Sequence, residues 1–169
     1  MNKLEDRISA FVAAQTLPYR LSRDGRSDCN CVTKAKLFSQ KLSSMGIQSR
    51  SRLVGFQWSV LGVPEQILAI PHDEPGTHKF LEVFIPERDK WVTADPTWDP
   101  RLCELFEIPK WDGLSATSCA VPIARTLSDV EVEELLTRVK SEQFRTQWFE
   151  RNNEFVVAVD GWLEKNRVG

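Results

Sequence analysis

Cys31, His78 and Asp95 have the residue types and the chain order of a thiol acyl-transfer centre. A cysteine nucleophile needs a base that takes or holds its proton. The base in turn needs a partner that fixes its tautomer and steadies the imidazolium. Cys31 begins a run in which Cys31, Ala35, Phe38, Leu42 and Met45 recur at helical spacing, forming one face of an amphipathic helix. Asp28 and Asn30 are cap-type residues just before the run, and Gly46 is a stop signal after it. A thiol in the first turn meets unpaired backbone N–H groups and the positive end of the helix dipole, which pull its pKa toward the thiolate. Taken alone, the same cysteine also reads as a small buried hydrophobe at the start of a core helix.

A hairpin supplies the other two groups. Residues 79–85 are rich in strand formers, Pro86 to Asp89 form a four-residue turn, and Lys90 to Ala94 return. If Ile85 pairs with Lys90, His78 falls opposite Thr97, with Asp95 as its diagonal neighbour on the same face. Diagonal neighbours lie about 7–8 Å apart at the backbone, within reach of a planar ring and a carboxylate. Glu82 shares the His78 face and is assigned a pairing or core-support role rather than acid catalysis.

The remaining elements frame this arrangement. Leu4, Ile8, Phe11 and Val12 predict a first amphipathic helix over 3–15, ended by Leu17-Pro18-Tyr19. Residues 21–27 read as a loop feeding the cysteine helix. Residues 47–56 read as a strand, and Pro64 opens a short helical turn. His72 to Gly76 is turn chemistry, with His72 expected to be exposed. Residues 101–125 form a long irregular segment of the kind that is functional or wraps another element. Helices are expected over 128–166, opened by the capping box Ser128 to Glu131 and packed through an apolar stripe. The expectation is a single α+β domain spanning 1–169, its core within about 1–100.

Composition narrows the function classes. Net charge is −2, which offers no field for nucleic acid, and no apolar run spans a bilayer. The amino-terminal residues read as a charged helix and not as a signal peptide, so a cytoplasmic location is expected. Cys29, Cys31, Cys103 and Cys119 are then expected as free thiols. Six tryptophans against one tyrosine fit either a cleft or a heavily packed core.

Three segments together resemble the transglutaminase-like superfamily, which shares a papain-like core and includes transglutaminases, cysteine proteases, peptide N-glycanases and related amidases. Cys31 with Ala35, Leu42, the Met45-Gly46-Ile47 turn and the strand Arg52 to Phe56 is similar to the family's cysteine helix and following strand. Thr77-His78 to Phe84, with Glu82 four residues after the histidine, is similar to the histidine strand. Trp91 to Asp95, followed by Pro96 and Thr97, is similar to the aspartate motif. The resemblance covers roughly residues 30–100 and is to the small, prokaryotic-type members. It implies N-terminal helices, including the cysteine helix, packed on an antiparallel sheet, with additional C-terminal helices. It assigns Cys31 as nucleophile, His78 as base and Asp95 as its orienter, with a thioester intermediate. Cys29 lies off the apolar stripe and does not match.

The resemblance implies no metal and no cofactor, and it points to a peptide, protein or other amide as substrate. Hydrolysis is favoured because water is always present and no second-substrate feature is visible. A transglutaminase-type transfer to an amine and a non-catalytic peptide- or protein-binding module on the same fold stand as alternatives, as does a redox pair of Cys29 and Cys31. The Cys31 backbone N–H is one expected oxyanion donor. Gln15 and Tyr19 are candidates for a second, while Trp58, Trp98 and Trp111 are candidate groove walls, Trp98 foremost. A zinc site drawn from Cys29, Cys31, His72 and His78 has unusual spacing for structural zinc. No motif assigns chemistry to Cys103, Cys119 or the rest of residues 101–169, and the oligomeric state stays open.

Overall fold

A computed structural model of the chain describes residues 3–21 and 29–169. The predicted loop over 21–27, beyond its first residue, and the cap-type Asp28 lie outside the described residues. The described architecture is α+β. Helices α1 (Lys3–Gln15), α2 (Cys31–Ser44), α3 (Glu65–Leu68), α4 (Asp129–Arg138) and α5 (Glu142–Lys165) accompany strands β1 (Ser49–Phe56), β2 (Gly76–Ile85), β3 (Lys90–Ala94) and β4 (Arg125–Thr126). The four strands make one antiparallel sheet in the order β3-β2-β1-β4. None of the described helices is long and apolar enough to cross a membrane.

Local chemistry sets the ends of α2. The Asn30 side chain accepts hydrogen bonds from the Val32 and Thr33 amides at 3.0 and 3.2 Å, capping the N-terminus. At the other end Gly46 takes φ +71°. The Ile47 amide then reaches the Leu42 carbonyl and the Gly46 amide reaches the Ser43 carbonyl, both at 3.0 Å. These paired bonds form a Schellman stop, which a side chain at position 46 would strain.

The period-2 alternation of β2 divides the core in two. Leu81, Val83 and Ile85 meet Phe11 and Ala14 of α1 and Ala35, Phe38 and Leu42 of α2. Phe80, with Val54 and Phe56 of β1, meets Trp98, Leu102, Val121 and the α5 residues Phe155, Val159 and Leu163. Cys31 belongs to this second core although the body of its helix packs in the first. The helix start therefore bridges the two layers, at the end of the sheet where β3 has already stopped.

The hairpin register is the expected one, from Ile85 opposite Lys90 to Leu81 opposite Ala94. Pro86 to Arg88 form a single 3₁₀ turn, and Asp89 closes it at φ 48°. Glu82 pairs with Arg50 at 2.6 Å and Arg52 at 2.8 Å. The Ser128–Glu131 capping box is present.

The tail departs from the expected apolar stripe. The second half of α5 is core, but α4 buries no residue, and Val130, Leu136 and Phe149 stay exposed. Helical periodicity alone did not show that the sheet face is filled once Phe155, Val159 and Leu163 occupy it. His72 also differs from expectation. Its ring stacks on Phe155 at 3.9 Å and its Nδ1 lies 2.7 Å from the Ile70 carbonyl, so it is half-buried.

Candidate active site

Three elements bring Cys31, His78 and Asp95 to one place: the first turn of α2, the start of β2, and the residue that follows β3. His78 Nε2 lies 2.8 Å from Asp95 Oδ2, with the histidine 3% and the aspartate 1% exposed. Opposite an ionised carboxylate, Nε2 carries the proton and donates it. That leaves Nδ1 for the thiol, and the Cys31 side chain is in hydrogen-bonding contact with the His78 ring.

The aspartate is fully engaged. Its Oδ2 also accepts the Ala120 amide at 2.8 Å. Its Oδ1 accepts the Thr97 amide at 3.2 Å and the Thr97 hydroxyl at 2.6 Å. Such a carboxylate is locked in orientation, and its ring partner is locked with it.

The electrostatics favour a charge-separated pair. Burial pushes the Cys31 thiol up, but the hydrogen bond and charge of His78 and a bond from the Lys79 amide outweigh it, so the pKa falls below its ordinary value. Burial alone would push His78 down, but the charge and hydrogen bond of Asp95 and the contacts with two thiols carry it well above its ordinary value. Burial likewise opposes ionisation of Asp95. His78, Thr97 and Ala120 hold its pKa below the usual carboxylate range. Both directions favour a thiolate beside an imidazolium, steadied by a carboxylate.

Two contributors carried no signal in the sequence. The Lys79 amide serves the thiolate because β3 pairs with β2 only as far as Leu81, leaving the β2 edge open beside the cysteine helix. Cys119 contacts His78 from the irregular segment, where no period or motif singled it out.

The other candidates take up varied places. The Gln15 side chain donates to the Pro109 carbonyl at 2.8 Å, and the Gln15 backbone carbonyl accepts from Lys34 Nζ at 2.9 Å. Tyr19 packs edge-on against Trp98 at 4.8 Å, and its amide donates to Asp99 at 2.8 Å. Trp98 is buried in the core that holds Cys31, stacked on Phe106 at 3.9 Å with its indole N–H on the Ala120 carbonyl at 2.8 Å. Trp58 sits between Phe56 and Phe155 at 4.9 and 5.1 Å. Trp111 packs in the other core, against Phe11 and Phe38.

Two surface cavities lie elsewhere. One of about 590 Å³ is lined by Gly55, Gln57, Glu74 and Arg125 among others, and one of about 360 Å³ lies at His72, Asp73 and Arg151.

Cys29, Cys31, His72 and His78 do not assemble as a metal set. Among the described residues the donors that converge are His78, Asp95 and Cys119, whose ligand atoms lie within 4.8 Å of one another.

Below the cysteine lies a buried charged cluster. Lys34 is fully buried, and burial pushes its pKa down to about 8 against the opposing influence of Cys29 and Asp99. Burial raises the Cys29 thiol. Asp99 pairs with Arg167, which also donates to the Tyr19 carbonyl. Comparison with family models, with curated proteins and with solved structures finds no match for the chain.

Proposed function

We propose that the chain is a cysteine-dependent acyl-transfer enzyme on a transglutaminase-like, papain-type core, with Cys31 as nucleophile, His78 as acid and base, and Asp95 as the residue that positions His78. The observation that carries the reading is the His78–Asp95 hydrogen bond at 2.8 Å, with the Cys31 thiol on the same ring at the head of a buried helix. The resemblance of the three segments, which carry the same three residues, is in keeping with it.

In the proposed reaction the Cys31 thiolate adds to an amide carbonyl, and the new C–S bond places the electron pair on the carbonyl oxygen. Donors such as the Cys31 amide stabilise that oxygen. His78 gives its proton to the leaving nitrogen, the C–N bond breaks, and a thioester remains. Water then attacks as His78 takes its proton. The C–S bond breaks, returning its electron pair to the thiolate, and a carboxylic acid leaves. An amine in place of water yields a new amide.

A generic acyl donor tests this without knowledge of the substrate. With p-nitrophenyl acetate, the expected result is a burst of one p-nitrophenol per chain and an acetyl group mapped by mass spectrometry to Cys31. Both are lost in Cys31→Ala and in His78→Ala. An added alkylamine that shortens the life of the acyl-enzyme and appears in the product favours transfer over hydrolysis. A burst that survives in Cys31→Ala, or no burst in the wild type, defeats the reading and leaves the binding-module alternative.

A further inference from the structure

We propose that His78, Asp95 and Cys119 form a binding site for a thiophilic divalent cation, Zn²⁺ by its ligand set, and that occupation of this site shuts the triad off. The inhibitory part rests on the acyl-transfer reading above; the cation site does not.

The donors are an imidazole nitrogen, a carboxylate oxygen and a thiol sulfur, all within 4.8 Å of one another. Nitrogen, oxygen and thiolate sulfur in one small set suit zinc better than the hard cations, which take oxygen alone. In a tetrahedral zinc site neighbouring donors stand roughly 3.3–3.7 Å apart, given the usual metal–ligand distances. The His78–Asp95 contact at 2.8 Å has to open by a few tenths of an ångström, and Cys119 has to swing inward. Cys119 is the half-buried member, so it marks the side from which an ion approaches the two buried ones.

The backbone already holds the three donors in place. The Thr117 amide binds the Thr93 carbonyl at 2.9 Å, and the Asp95 amide binds the Thr117 hydroxyl at 3.0 Å. The Ala120 amide and carbonyl are fixed by Asp95 and by the Trp98 indole, each at 2.8 Å. This strap sets Cys119 against the ring. Thr97 stays on the far carboxylate oxygen as an outer-shell partner of the kind that orients metal ligands. Thiolate and carboxylate together cancel the charge of a divalent ion, which a largely buried site requires.

Binding displaces two protons, one from the Cys119 thiol and one from His78 Nε2. The ion then stands where the Nε2 proton stood. The ring's remaining proton lies on Nδ1, so no lone pair is left to accept one from the incoming water, and Asp95 no longer orients the ring. Cys31 is outside this donor group, which separates the proposal from simple capture of zinc by the nucleophile.

Titration of the full chain with Co²⁺, followed by near-ultraviolet thiolate-to-cobalt absorption, tests the site directly. The expected band appears in the wild type and in Cys31→Ala and is displaced by Zn²⁺. It is lost in both Cys119→Ser and Cys119→Ala, whose metal-free circular dichroism and thermal melt report folding. Zn²⁺ is expected to suppress wild-type ester turnover, with recovery on chelation. The turnover of Cys119→Ser, whatever its metal-free level, is not reduced further. A band that persists in the Cys119 variants and vanishes in Cys31→Ala, or no band in any protein, overturns the site. A band in Cys31→Ala combined with no wild-type ester turnover leaves the site standing and removes the acyl-transfer reading.

Discussion

His78 and Asp95 meet through their side chains at 2.8 Å although the strand pairing that carries them ends at Leu81 opposite Ala94. Because the ladder stops there, the Asp95 backbone is free to turn toward Thr117, and the carboxylate is aimed by Thr97 and Ala120. Asp95→Asn keeps the shape and removes the charge that raises His78. Turnover of an acyl donor is expected to fall by about 10²–10⁴-fold. The sign of the pH effect follows: without Asp95 the imidazolium loses its proton at lower pH, so the alkaline limb of kcat/KM moves toward neutrality. An unchanged limb in the variant is the adverse result.

Cys31 should alkylate in a pH range where an ordinary thiol is still protonated. The lowered thiol and the raised imidazole widen the pH range over which the ion pair exists. It is lost at low pH when Cys31 takes a proton and at high pH when His78 gives one up. Replacing His78 with Ala leaves burial as the largest remaining influence on the thiol, and burial raises its pKa. The iodoacetamide rate at pH 7, read by peptide mapping at Cys31, should fall by about tenfold or more, since each unit of pKa above the working pH costs a factor of ten in thiolate. Equal rates in the two proteins count against the pair.

Patterns local in sequence were legible: the cysteine helix, the hairpin register and the Ser128 capping box all follow from spacing and cap chemistry. The His78–Asp95 contact was legible too, because a hairpin turns a difference in sequence number into a distance. What escaped was set by tertiary contact. The Cys119 strap has no period, and its place is fixed by single hydrogen bonds to Thr93 and Asp95. The exposure of α4 depends on α5 having filled the sheet face first. Lys34 reads as a polar position on a helix, yet it is fully buried because the Gln15 carbonyl at the end of α1 receives its ammonium.

That buried lysine makes stability depend on pH in a definite direction. Its folded pKa is about 8, below the ordinary lysine value, so between the two the unfolded chain holds a proton that the native chain has released. Stability therefore rises with pH across that window, by about 3 kcal/mol for this group. Lys34→Met removes the contribution. Urea unfolding from pH 7.5 to 10 should show the wild type gaining on the variant as pH rises. Parallel curves for the two proteins would mean that Lys34 titrates normally.

The carboxy-terminal residues are expected to matter more to stability than their position suggests. The Arg167 side chain is 4% exposed, pairs with the Asp99 side chain at 1%, and spans from Asp99 to the Tyr19 carbonyl. The Val168 amide closes on the Arg101 carbonyl at 2.9 Å. Arg167→Ala leaves the buried Asp99 carboxylate with the Tyr19 and Arg101 amides and a longer contact to the Arg101 guanidinium at 3.9 Å. Removing one partner of a buried pair costs about 3–5 kcal/mol. The more exposed Arg50–Glu82 pair offers the control, since Arg52 remains on Glu82 and such surface pairs contribute about 0–1 kcal/mol. Urea unfolding of Arg167→Ala and Arg50→Ala should separate the two by several-fold. Adding Asp99→Ala to Arg167→Ala should cost less than the sum of the singles, because the double variant no longer strands the Asp99 carboxylate. Additive costs would place the stabilisation in packing of the tail and not in the Asp99–Arg167 pair.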